Sequence, residues 1–541
     1  MDSAEMLRPE AFPYPSRRMP IVAAKGVVAT SQPLAAQAGL TMLQRGGNAV
    51  DAALATAITL TVVEPTSNGI GADAFALVWD GNTLHGLNGS GRAPATHTPE
   101  LFAGLGHTQI PGKGWLPVTV PGAPGTWRDL HARFGKLPFA TLFEPAIEYA
   151  QGGYPLSPVL ATGWAGSART YKQTLNGPEF APWFETFTHD GMAPKAGEMW
   201  CSPGHAETLR QIAETKAAAF YTGALAEKIV AFAQKTGGYL TADDLAAHTS
   251  TWVQPISTNY RGYDVWEIPP NGQGIAALIA LNILEGFDIA RLPRESVESY
   301  HLQLEAIKLA FADAATYIAD PEHATVPVKW LLDKEYAATR RKLIGHDAAR
   351  PVAGEPPGGG TVYLCAADGD GMMVSLIQSN YQGFGSGIVI PGTGIALQNR
   401  GANFVLTEGH ANRVAPGKRP YHTIIPAFLT KDSKAEGPFG VMGGFMQPQG
   451  HMQMVVNQVD YGMNPQTSLD APRWQWLKGM EIEVEMSAPQ FVLQGLAARG
   501  HQLAVRHTGT SFGRGQIIRR LPGGAYVAGS EPRADGAAVG Y

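Results

Sequence analysis

Three glycines, Gly358 to Gly360, run directly into Thr361, which opens the apolar segment TVYLCAA. A threonine hydroxyl is a poor nucleophile until a base removes its proton. If the peptide bond before Thr361 is cut, the new α-amine, with a pKa of about 8, becomes a base on the same residue. The cut needs no protease: the Thr361 hydroxyl attacks the Gly360 carbonyl, the C–N bond gives way to an ester, and water hydrolyses the ester. Glycines tolerate the backbone that such an attack demands. Taken alone, a threonine that starts a strand after a glycine-rich linker is usually structural, so other patterns must support the chemistry.

The elements around it can be read from breakers and periodicity. Thr361–Ala367 and Met372–Ser379 flank Asp368-Gly369-Asp370-Gly371 and read as a β-hairpin. Upstream, RPVAGEPPGGG (350–360) is the clearest linker in the chain. Pro33–Arg45 and Ala49–Val63 are apolar enough for buried helices, parted by Gly46-Gly47-Asn48. Phe75–Trp79 and Thr83–Leu87 form a strand pair around Asp80-Gly81-Asn82. From about 140 to 350 the pattern is mainly helical, broken at IPPNGQG (268–274). Strands are expected at Gly394–Gln398, Ile424–Leu429 and Phe439–Met442, then a helix over Gly450–Val459. Strands with attached helices in the last third predict an α+β fold.

Composition narrows the function classes. The 541 residues are 44% hydrophobic and 16% charged, with a net charge of −5, which excludes a disordered tail and a polyanion binder. No nucleic-acid partner is expected. Two cysteines, Cys201 and Cys365, make neither a disulfide framework nor a metal site. The first twenty residues do not read as a secretory signal, and the apolar runs at Ala52–Val63 and Ile275–Leu281 are too short to span a bilayer. A soluble, cytoplasmic protein is expected, with no membrane partner.

Several other motifs fail on context. Gly69–Ala74 touches GxGxxA without the strand and helix of a dinucleotide site. GHTQIPGKG (106–114) has the wrong spacing for a phosphate loop. The 15 histidines contain no HExxH or other ligand spacing, so no metal and no cofactor are expected. His451 reads as a packing or capping group.

The segments GGNAVDAA (46–53), VPGAPGTW (120–127), GGYLTADDLA (237–246), YRGYDVWEIPP (260–270), FGSGIVIPGTGI (384–395), GKRP (417–420) and VMGGF (441–445) closely resemble the γ-glutamyltransferase family of N-terminal nucleophile hydrolases. The blocks stand in family order to the C-terminus. The resemblance implies a four-layer αββα sandwich and a precursor cut between Gly360 and Thr361. It implies a large fragment (1–360) and a small one (361–541) that stay together without a cofactor. Thr361 falls on the family's nucleophile, Ser379 where a threonine positions it, and Gly443 and Gly444 on the oxyanion-hole glycines.

The chain departs from the family at the substrate. A γ-glutamyl donor carries an α-ammonium, which the family holds with asparagine, glutamine and aspartate. Those positions are Tyr381, Arg400 and Asn403 here. An arginine about 5 Å from an ammonium costs on the order of 3 kcal/mol at an effective dielectric near 20. His422-Thr423 replace a serine pair that meets the α-carboxylate, and Arg92 is an approximate counterpart of the family's carboxylate-binding arginine. FVLTEGHANRVAP (404–416) is shorter than the usual lid, which predicts a more open cleft. These departures resemble the acylase-like branch, including cephalosporin (glutaryl) acylase-type proteins and oxamate amidohydrolases. The expected substrate is a small amide whose acyl group carries a carboxylate. The alternatives are a true γ-glutamyltransferase or glutathione hydrolase, and an uncleaved homologue that binds without turnover. A homo-oligomer is left open.

Overall fold

A computed structural model of the protein describes residues 18–351 and 360–541. Most of the linker read over 350–360, with Gly358 and Gly359, lies outside the described residues. The elements that build the site are, in chain order, strand β1 (Gly26–Thr30), helices α1 (Pro33–Gln44) and α2 (Ala49–Val63), and strands β2 (Asp73–Trp79), β3 (Leu84–Asn88) and β4 (Tyr263–Glu267). Helices α3 (Gly274–Leu284) and α4 (Val297–Tyr317), strands β5 (Gly360–Asp368), β6 (Met373–Tyr381), β7 (Ala427–Lys431) and β8 (Lys434–Met442), and helix α5 (Met446–Val459) follow.

Two seven-stranded sheets result. One runs Ala537–Gly540, β1, β5, β6, β2, β3, Thr251–Val253; the other runs Ile21–Ala23, Tyr526–Ser530, Arg514–Arg520, β8, β7, β4, Ile256–Tyr260. Side chains alternate across a strand, so each strand feeds two cores. On β5, Val362, Leu364 and Ala366 pack with α2, whereas Tyr363, Cys365 and Ala367 meet Phe428, Met442 and Ile518 of the facing sheet. Helices α3, α4 and α5 cover the far side of that second sheet against Val265, Leu429 and Val441. The outcome is the expected αββα sandwich.

Helix α2 is buried along its whole length, which its apolar character on every side requires. It starts at a capping box in which Asn48 and Asp51 satisfy each other's backbone amides. Helix α5 begins earlier than its sequence signal, at Met446, with Phe445 as its only link to Gly443-Gly444. The strand expected at Gly394–Gln398 does not form. Gly392 and Gly394 adopt φ of 69° and 71°, a turn conformation, and the segment makes only the single bridges Val389–Ala396 and Gly71–Leu397. Within the stretch read as helical, Thr251–Glu267 supplies three strands, β4 among them. Among the described residues no helix is long and apolar enough to cross a membrane.

Candidate functional site

Thr361 and Ser379 come together because β5 and β6 are hydrogen-bonded neighbours with an irregular register at their shared end. Gly360 pairs with Tyr381 and Val362 with Gln378, which leaves one extra residue on β6. Both side chains are buried, and the Thr361 hydroxyl donates to Ser379 Oγ at 3.1 Å. Ser379 Oγ also accepts the Tyr381 backbone N–H at 2.7 Å. Tyr381 holds φ at 76°, a left-handed value that bulky residues avoid, and the strand ends there.

Gly443 and Gly444 end β8 with φ of 131° and 61°. A Cβ on Gly443 would stand 3.1 Å from the Gly513 Cα. The turn is held through carbonyls: Gly443 O accepts from Met446 N at 3.1 Å, and Gly444 O accepts from the Gln273 side chain at 2.9 Å. These bonds do not use the glycine N–H groups. The N-terminus of α5 follows at once, and its dipole favours negative charge beside this turn. His451, one turn into α5, packs as expected: its Nε2 accepts the Val441 N–H at 3.1 Å, and its Nδ1–H donates to Glu267 at 2.6 Å.

The third group centres on Arg400, at the start of the 3-10 turn Arg400–Asn403. Its side chain is fully buried, and Nη1 donates to Thr423 Oγ1 at 2.5 Å. The guanidinium carbon lies 4.9 Å from the centre of the Tyr381 ring. Arg400 Nε and Nη2, the Tyr381 hydroxyl, Asn403 Nδ2 and both side-chain polar atoms of Asn380 are buried without a hydrogen-bond partner. Burial lowers the Arg400 pKa to about 10, against the opposing field of Asp73. The two unsatisfied donors on this desolvated cation, Nε and Nη2, are expensive to leave unmade, and a bidentate anion would satisfy them.

Asp73 was not recognised as a site residue from the sequence. It stands opposite Ser379 in the β2–β6 register. Burial raises its pKa to about 7, while Arg400 and the Gly91 and Gly122 N–H groups pull it down. Its second oxygen meets His422 Nε2 at 3.1 Å. Burial, with Arg400 and Arg419 adding to it, drives the His422 pKa far below the ordinary value, so the ring is neutral. His422 Nδ1 accepts the Ile424 N–H at 3.4 Å, which leaves the proton on Nε2, donated to Asp73. The one available signal was a carboxylate opening an otherwise apolar strand, DAFALVW.

Arg92 lies elsewhere. It donates to Glu322 at 2.9 Å and to Gly417 O at 3.1 Å, and lines a separate 320 Å³ recess with Asp244 and His248. No hydrogen bond links it to Arg400 or Thr361. Asn403 instead borders a 770 Å³ cavity walled largely by the 404–412 loop. Among the described residues one group has metal-ligand geometry, His301, Glu305 and His501, which sequence spacing could not reveal because His501 is remote in the chain. The Lys308 ammonium already pairs with Glu305 at 2.6 Å and stands 3.5 Å from His501 Nδ1.

Comparison with known proteins extends the match over the whole fold. Residues 35–541 match the Gamma-glutamyltranspeptidase family. The chain is 38% identical over 530 residues to the glutathione hydrolase-like YwrD proenzyme of Bacillus subtilis (strain 168), covering 96% of this chain and 99% of that one. It is 33% identical over 536 residues to the oxamate amidohydrolase proenzyme of Klebsiella pneumoniae, again with 96% and 99% coverage. Among solved structures, cephalosporin acylase from Bacillus halodurans superposes with a TM-score of 0.96 at 56% identity, covering 99% of each chain. This chain belongs to the gamma-glutamyltranspeptidase family and is an enzyme of the N-terminal nucleophile hydrolase type.

Proposed function

We propose that the protein is a self-processing N-terminal threonine amidohydrolase acting on amides whose acyl group carries a carboxylate. The observation that carries this reading is the buried Arg400, with two unpartnered donors, packed on the ring of Tyr381, whose backbone N–H is bonded to the Ser379 hydroxyl beside Thr361. A carboxylate held by Arg400, the Tyr381 hydroxyl and Asn403 would set its acyl chain toward the nucleophile. Relatives named as an oxamate amidohydrolase and a cephalosporin acylase support an acylase over a transferase.

Maturation comes first. Attack by the Thr361 hydroxyl on the Gly360 carbonyl, with Ser379 orienting the hydroxyl, and hydrolysis of the resulting ester leave fragments 1–360 and 361–541. The freed Thr361 amine then accepts the hydroxyl proton as Oγ1 attacks the substrate carbonyl. The Gly443 and Gly444 N–H groups receive the oxyanion, a contribution of roughly 2.7–4 kcal/mol per donor in comparable sites. The amine leaves with a proton, and water releases the acid from the ester on Thr361. His422 and Thr423 hold Asp73 and Arg400 in place. A γ-glutamyl substrate is disfavoured because its ammonium would face Arg400, and the Asp73 carboxylate is already bonded to His422, Gly91 and Gly122.

The test is a comparison of kcat/KM for glutaryl, oxamate-type and γ-glutamyl amides on protein first checked for two fragments on a denaturing gel. A tenfold or greater preference for γ-glutamyl amides overturns the reading.

A further inference from the structure

The substrate's other half can be read from the cavity beside this site. We infer that the 770 Å³ cavity next to Asn403 receives the amine half of the substrate, and that this half is an uncharged aromatic amine. The inference rests on the amide-hydrolase reading above.

Three walls are continuous with the site. Asn403 shares its turn with Arg400. Phe445 directly follows the Gly443-Gly444 pair. Tyr421 donates to Gln273, whose amide in turn holds the carbonyls of Gly444 and Thr423. An acyl group anchored at Arg400, with its carbonyl oxygen at the two glycines, therefore directs its nitrogen toward this cavity.

The lining fixes the chemistry. Rings from α4, from the segments before β7 and α5, and from beyond α5 form the floor: Phe311 lies 5.8 Å from Trp476 and 6.3 Å from Phe445, and Phe445 stacks on Tyr421 at 5.9 Å. Lys, Arg, Asp and Glu are missing from the lining, and burial lowers the pKa of its one histidine, His410. Such walls reward a flat apolar group and offer a charged one no counter-ion. Ammonia, released from a primary amide, would leave this volume unused. Pockets of about 300–1,000 Å³ typically enclose ligands of several rings. In the step itself the acyl C–N bond breaks, the ester to Thr361 Oγ1 forms, and the proton carried by the Thr361 amine passes to the departing aromatic amine.

The experiment compares glutaryl anilide with the primary amide of the same acid, in wild type and in Ala315→Trp and Phe311→Leu. Ala315 is half-buried at the cavity wall, so the tryptophan fills the cavity and not the core. The ratio of kcat/KM, anilide over primary amide, should fall about tenfold or more in Ala315→Trp and several-fold in Phe311→Leu, because burial of a ring is lost. The primary-amide value should hold within about twofold. Calorimetric titration with 4-nitroaniline provides a readout independent of turnover: wild type should bind and Ala315→Trp should not. If neither amide is hydrolysed, the amidohydrolase reading fails while the titration still decides the cavity. An unchanged ratio in folded Ala315→Trp, or equal 4-nitroaniline binding by the two proteins, overturns the inference.

Discussion

Replacing Arg400 with glutamine keeps a donor near Thr423 and removes the charge. A carboxylate about 4 Å from a guanidinium gains about 4 kcal/mol at an effective dielectric near 20. Asp73 shares the field of Arg400 and lies buried with it, so part of that attraction is already used in the free enzyme. A net loss of about 2–3 kcal/mol remains, equivalent to roughly 30- to 150-fold. The assay is kcat/KM for a glutaryl amide against the valeryl amide with the same leaving group, which matches chain length and differs in the terminal carboxylate. The ratio should collapse by that factor in Arg400→Gln, with the valeryl value unchanged or raised. Equal losses on both substrates would mean that Arg400 shapes the site without binding the acid, and no loss on either would refute the assignment.

Thr361→Ala should remain a single chain near 57.5 kDa on a denaturing gel, and Thr361→Ser should still cut, more slowly. Two normal fragments from the alanine variant would exclude autocatalysis. Ser379→Ala removes the acceptor 3.1 Å from the Thr361 hydroxyl and should slow cutting and turnover by about tenfold or more, with Ser379→Thr recovering both. Asp73 has a folded pKa of about 7, above its unfolded value, so the folded state binds the extra proton between about pH 4 and 7 and loses stability as pH rises through that window. Asp73→Asn should therefore gain stability relative to wild type from pH 4 to 7 in urea unfolding, with no further change above; a constant difference would show that Asp73 does not titrate there.

The sequence was most legible where a local signal and the tertiary fold agree. The hairpin around Asp368–Gly371 and the largely apolar helix α2 each declare themselves from local sequence alone. Thr361 stood out as a candidate because its glycines and its strand lie next to each other, but only the family-like blocks along the chain lifted it above an ordinary structural threonine. Arg400 and Tyr381 were legible as replacements in a known pattern, but their stacking across a turn was not, since Tyr381 takes a left-handed φ that no strand periodicity predicts. Asp73 escaped because its partners, His422 and the Gly91 and Gly122 amides, are contributed by distant segments. The aromatic floor has the same origin: Phe311, Phe445 and Trp476 are each an ordinary core residue until three elements converge.

β5, which carries Thr361, lies between β1, from the first part of the chain, and β6, from the second, and the other sheet also joins segments from both sides of that point, four strands from after it flanked by three from before. Severing one peptide bond there would hardly alter the native contacts, yet it would change the reverse reaction. The uncut chain refolds as a single molecule, with every strand tethered to its neighbours. Two separated fragments would have to find each other by diffusion and insert β5 and β6 between β1 and β2. Their recovery would depend on concentration and compete with aggregation through open strand edges. The processed enzyme would then persist through the height of its unfolding barrier more than through its equilibrium stability, and each molecule would be made active once.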